Sequence, residues 1–187
     1  PVVAGPHAIA ASARLGAIPA LSARHRAVDA PQRQQLLLRP RRPRERALRV
    51  RACALAGGRY RDLDAPSLTR YSAAKAWKQA GITPSDVQVL EVHDATSFCE
   101  ILHLEQLGLA PEGSGGPFVA SGATALGGEL PVNLSGGLVS KGHPLGATGL
   151  AMVAEIALQL RGEAGERQAR RAGTAPTIGV AHNAGGS

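Results

Sequence analysis

The sequence predicts an α/β fold, a mixed sheet with helices on both faces. Three observations carry that prediction. From about residue 47 onward, short apolar runs of strand length alternate with segments of helical period. These segments are punctuated by glycine or by proline-containing turns. Three times the end of a strand or loop presents a histidine, at His93, His143 and His182, and open α/β sheets gather their sites at the carboxyl ends of strands. Aromatic residues are only 3% of the chain, which leaves the core to Leu, Val, Ile and Ala.

In chain order, residues 48–55 begin by alternating apolar and basic side chains as a strand does, and Gly57 and Gly58 end them. Ser67 is placed to cap a helix through Ala73, Ala74, Ala76, Trp77 and Ala80, which Gly81 stops. Residues 83–86 read as a turn and 87–92 as a compact strand delivering His93 and Asp94. A helix through Phe98, Ile101, Leu102, Leu104 and Leu107 follows, closed at Gly108. Residues 109–130 are rich in Gly, Pro and Ser and read as a surface excursion, and 130–133 as a short strand. Leu150, Val153, Ala154, Ile156, Ala157 and Leu160 mark a long amphipathic helix. After a polar connection, 177–181 form a last strand that delivers His182 and Asn183.

The net charge of +7 looks like a nucleic-acid signal until it is located. Residues 1–51 hold eleven arginines against Asp29 and Glu45, a net +9, so the remainder carries −2. Residues 1–59 contain no aromatic side chain that could stack on bases, which argues against a nucleic-acid partner. Residues 1–46 show no hydrophobic period and read as an irregular Arg/Pro-rich leader, with the domain proper at 47–187. A shifted reading frame would account for such a leader. No apolar run approaches the roughly 20 residues of a membrane span, and the opening residues do not read as a signal peptide. Cys53 and Cys99 are too few for a disulfide framework or a zinc site and read as small buried hydrophobes, in a reduced, cytoplasmic compartment.

The stretch 133–149 is the densest in chemical information. Gly136, Gly137, Gly142, Gly146 and Gly149 crowd around one imidazole, His143, held between Gly142 and Pro144. Glycine lets other groups approach the main chain, at a cost in stability. Pro144 suits the first turn of the following helix, and an imidazole at the mouth of a helix is well placed to act on a substrate carbonyl.

On these residues the chain from about 47 to its end resembles the C-terminal half of the thiolase superfamily, nearest to the sterol-carrier-protein type and its bacterial lipid-transfer-like relatives. The Gly-Gly-x-x-x-Lys-Gly-His-Pro-Leu-Gly-Ala-Thr-Gly stretch at 136–149 is a highly specific match. Residues 91–94 (Glu-Val-His-Asp) are similar to that subgroup's His-Asp-Cys-Phe loop, and His182 with Asn183 to its terminal His-Asn-x-Gly loop. The resemblance implies Claisen condensation or thiolysis of a 3-oxoacyl-CoA. CoA and acyl-CoA are then substrates, no cofactor or metal is needed, and the complete protein is a homodimer, with the need for a small partner subunit left open. It implies that His143 activates the nucleophile and helps form an oxyanion hole, that His93 supplies a further oxyanion donor, and that Asp94, Asn183 and His182 stand behind them. Gly136, Gly137, Gly142 and Gly146 would shape the substrate loop.

The departures matter as much. The family's nucleophilic cysteine belongs to the N-terminal half, which this sequence does not contain, and Ala95-Thr96 stands where the subgroup carries Cys-Phe. The chain ends at Ser187, ahead of the strand that follows this loop in the family. The leading expectation is therefore the C-terminal part of a thiolase-type acyltransferase, inactive alone. The alternatives are a thiolase-like aldol lyase acting on a β-hydroxyacyl-CoA, favoured by Ala95, or a non-catalytic fragment.

Overall fold

Strands β1 (His7–Ser12), β2 (Arg49–Leu55), β3 (Val89–Val92) and β4 (Ile178–Asn183) form one sheet in the order β2-β1-β4-β3. The structure, a computed structural model, describes residues 7–12, 47–57 and 65–184. β1 runs antiparallel to both of its neighbours, whereas β3 and β4 are parallel. The sheet is thus mixed, as the sequence predicts.

β1 lies inside the segment read from sequence as irregular. An alanine-rich run has low strand propensity and no alternation to betray it; what makes it a strand is a partner on either side, β2 and β4. The remainder of the leader, including the Arg-Pro run, lies outside the described residues.

The helices are α1 (Leu68–Ala80), α2 (Ser97–Gln106), α3 (Gly115–Ala120), α4 (Gly137–Lys141) and α5 (Thr148–Arg161). Ser67 caps α1, its side chain accepting from Arg70 N at 3.1 Å, and Gly81 ends it in the left-handed region. Strand parity divides the core into two layers. Leu90, Val92 and Val180 face α1 and α2, packing with Ala73, Ala76, Leu104 and Leu107. Val89 and Ala181, one residue out of phase, face α5 and pack with Met152, Ile156 and Leu160. Helices therefore cover both faces. Gln159, fully buried on α5, bonds Arg167 O and Ala169 N and so pins the connection leading to β4. No helix among the described residues is long and apolar enough to cross a membrane.

Four local expectations are corrected. The segment 109–130 is not a bare excursion: it contains α3, and its ends bury Ala110 and Leu130. Residues 130–133 make only a single bridge, Val132 to Leu90, because Pro131 has no N–H and Asn133 turns away at φ 51°. The Asn133 side chain continues the ladder instead, its Oδ1 accepting from Val92 N at 2.8 Å. Pro144 is not in the first turn of α5; its carbonyl accepts from Ala147 N and Thr148 N, closing a separate turn ahead of the helix. The cysteines are not buried: Cys53 is exposed on the outermost strand, whose inward positions are taken by Ala52 and Ala54, and Cys99 is half-buried in the first turn of α2.

Candidate active site

Parallel pairing of β3 with β4 sets Val92 beside His182. The next residues, His93 and Asn183, therefore meet at the carboxyl end of the sheet, where His93 Nδ1 lies 2.8 Å from Asn183 Oδ1. The glycine loop carries His143 over this point. The His143 and His93 rings meet edge to face, centroids 4.8 Å apart and planes at 84°. Two histidines fifty residues apart in sequence thus form one unit.

Hydrogen bonding assigns their protons. The Thr148 hydroxyl donates its single proton to Pro144 O at 3.0 Å. In that arrangement the hydroxyl oxygen accepts from His143 Nδ1 at 2.7 Å, the tautomer that carries the ring proton on that nitrogen. Asn183 Oδ1 can only accept, so His93 Nδ1 is protonated as well. In the neutral state both rings carry an Nε2 lone pair available to a reactant. Burial holds the His93 pKa below the usual imidazole value, opposed by its Asn183 bond and reinforced by the neighbouring His143. His143 itself is exposed.

Asp94 does not hydrogen-bond an imidazole. Its Oδ1 accepts from Leu138 N at 2.7 Å, so the carboxylate fastens the glycine loop to the end of β3. Gly136 caps α4 at φ 96°, Gly142 ends it at φ 88°, and Gly146 stands in open space before α5. Gly137 is the demanding position: it has φ 62°, and a Cβ there would stand 2.0 Å from Asp94 Oδ2. Gly137→Ala is expected to break the Asp94–Leu138 bond and cost roughly 2 kcal/mol or more of stability, read as a lower urea midpoint. An unchanged midpoint would mean that Asp94 is free to move.

His182 is not with the other two. One residue before Asn183, it points to the opposite face of the sheet. There it is fully buried, 3.2 Å from Thr69 Oγ1, with its ring centroid 4.5 Å from that of His103 on α2. Burial pushes His103 down to about 4, with the nearby His93 acting in the same direction, and pushes His182 down to about 3, with His103 and then His93 adding to the shift. Sequence reasoning missed His103 and Thr148. Thr148 reaches His143 only because the 144–147 turn folds back, and His103 shares the helical spacing of its apolar neighbours.

The elements framing the His93–His143 pair carry exposed apolar side chains: Phe98 on α2, Val139 on α4, Leu145 in the loop and Leu150 on α5.

Comparison with known proteins gives a consistent pattern. Residues 55–187 match the family described as thiolase C-terminal domain-like. An acetyl-CoA acetyltransferase of Methanothermobacter thermautotrophicus is 46% identical over 143 residues, 74% of this chain and 36% of that protein. Sterol carrier protein 2 of Rattus norvegicus is 51% identical over 118 residues, 63% of this chain and 21% of its own length. The benzoylsuccinyl-CoA thiolase subunit BbsB of Thauera aromatica is 34% identical, covering 76% of this chain and 37% of that one. Among solved structures, an Ltp2-ChsH2(DUF35) aldolase superposes with a TM-score of 0.53 at 25% identity, over 66% of this chain and 35% of that chain. The chain spans little more than a third of the length of these relatives, or less.

Proposed function

Because the chain belongs to the thiolase C-terminal domain-like family, we propose that it supplies the histidine wall of an acyl-CoA site, acting on the thioester carbonyl in Claisen condensation or thiolysis of a 3-oxoacyl-CoA. The observation that carries this reading is the edge-to-face pair of His93 and His143, each with Nδ1–H committed to a neighbour and Nε2 open. Carbanion formation beside a thioester, or thiolate attack on it, moves charge onto the thioester oxygen. A neutral His143 with Nε2 free takes a proton from a thiol, and the resulting Nε2–H then donates to that oxygen. His93 provides a second nitrogen at the same place, and the fixed rings lose no orientation as charge develops. The nucleophilic cysteine belongs to polypeptide outside this sequence, which would dock against the exposed Phe98, Val139, Leu145 and Leu150. CoA and acyl-CoA are the substrates, and the chemistry calls for no further cofactor.

A second reading rests on Ala95. A side chain without an acid or base stands there, directly after Asp94, and an aldol lyase acting on a β-hydroxyacyl-CoA needs oxyanion donors and a base without an acyl-cysteine. The likeness to an aldolase structure supports it. The complete protein decides between the two: assayed with a 3-oxoacyl-CoA plus CoA, it should release a shortened acyl-CoA, whereas retro-aldol release of a carbonyl compound from a β-hydroxyacyl-CoA would establish the second reading. The 187-residue chain alone should turn over neither substrate.

A further inference from the structure

The structure assigns to Glu91 and Lys141, residues so far outside the chemistry, the task of setting the separation between His93 and His143. Glu91, on β3, precedes His93, just past the end of that strand, by two residues, the spacing that sends side chains of an extended chain to the same face of a sheet. Lys141 precedes His143 by two residues at the end of α4. These two flanking residues meet: Lys141 Nζ is 3.5 Å from Glu91 Oε2. Ser135 joins them, its Oγ donating to Glu91 Oε2 at 2.6 Å, its backbone N bonding Glu91 Oε1 at 3.2 Å, and Lys141 Nζ donating to that same Oγ.

The remaining ties of the loop to β3 lie further upstream. Leu90 holds Pro131 and Asn133, and Asp94 holds Leu138, at the start of α4. Beyond Lys141 the chain turns at Gly142 before reaching His143. The Lys141 ammonium is therefore the last side-chain fastening to β3 ahead of the imidazole. Glu91 is 1% exposed and its anchor cannot drift, while the Lys141 side chain is 27% exposed. Loss of the lysine charge should therefore loosen the loop without opening the core. Glu91 and Lys141 are positioning residues; neither touches the rings.

The meaning for turnover rests on the proposed function, but the effect on the rings does not, and the 187-residue chain tests it. Long-range 1H–15N spectra of the imidazoles give ring tautomers and titration midpoints, and ring-to-ring NOEs give the separation. In Lys141→Met we expect the native amide spectrum to persist. The His93–His143 NOEs should weaken at least twofold, and the His93 midpoint should rise toward that of a free imidazole as its neighbour moves off. Lys141→Arg should restore both. Glu91→Gln, which keeps bonds to Ser135 but loses the charge, should reproduce the Lys141→Met spectra. Unchanged NOEs and midpoint in Lys141→Met overturn the assignment, and so does loss of the native amide spectrum, which would make the lysine a folding element. In a complete active protein the same variant should lower kcat with little change in KM. Intact ring effects with unaltered kcat would instead count against the thioester reading.

Discussion

Replacing His143 by alanine in a complete protein carrying this domain is expected to slow acyl-CoA turnover by about two orders of magnitude or more, the usual cost of deleting one preorganised oxyanion donor. The loss should appear in kcat and in kcat/KM alike, because the Nε2 proton is used only once charge has developed on the thioester oxygen. Stability should change little, since His143 is exposed and its one fixed bond among the described residues is to the Thr148 hydroxyl, which keeps its partner in Pro144 O. His93→Ala should also be slow, and the double variant should be far less than additive, because in the proposed function the two rings, in edge contact, act on one oxygen. A His143→Ala enzyme within threefold of the wild-type rate would remove the basis of the proposed function.

Acid should unfold this domain well before its carboxylates are all protonated. His103 and His182 are neutral in the fold, held down to about 4 and about 3 chiefly by burial. In the unfolded chain both titrate near 6.5. Between those values the unfolded state binds the extra protons, so stability is complete above about pH 6.5 and declines as the pH falls, by roughly 1 kcal/mol per pH unit for each ring. His93, also depressed, adds in the same direction. Glu91 and Glu100, raised by burial, act with the opposite sign, from the ordinary carboxylate range upward. Urea unfolding of the 187-residue chain at a series of pH values from 7.5 to 4.5 checks this. The midpoint should fall steadily below pH 6.5, and His103→Leu, which removes one ring and extends the apolar face already formed by Leu104 and Leu107, should flatten the fall. A midpoint constant from pH 7 to 5 would show that these rings accept protons within the fold.

The unpartnered ring atoms sharpen that expectation. Nδ1 of His103 and Nδ1 of His182 are buried without a hydrogen-bond partner among the described residues. An orphaned imidazole nitrogen is tolerable as a neutral lone pair and costly as a charged donor. The pair therefore forms an acid-labile layer behind β4, on the side of the sheet opposite the catalytic candidates.

What the sequence alone determined was local and periodic. The α/β class, the caps at Ser67 and Gly81, the helix carrying Ile101 and Leu104, and the glycine-framed imidazole at His143 all follow from spacing and backbone chemistry within some fifteen residues. The 136–149 motif, with the 91–94 and 182–183 loops, pointed to the family that residues 55–187 match. Tertiary structure decided everything that depends on which residues become neighbours. It made a strand of 7–12, whose alanines carry no period-2 signal, by placing it between two others. It separated His182 from Asn183, because adjacent residues on a strand must face opposite ways; only Asn183 reaches His93. It turned Asp94 from an imidazole's partner into an anchor for the loop. Above all it fixed His93 and His143 at 4.8 Å, a distance set by Glu91, Ser135 and Lys141, polar residues with no periodicity linking them. Sequence patterns record which side chains a segment offers to a core or a loop. The separation of these two histidine rings belongs to the contacts between segments, and no local pattern encodes it.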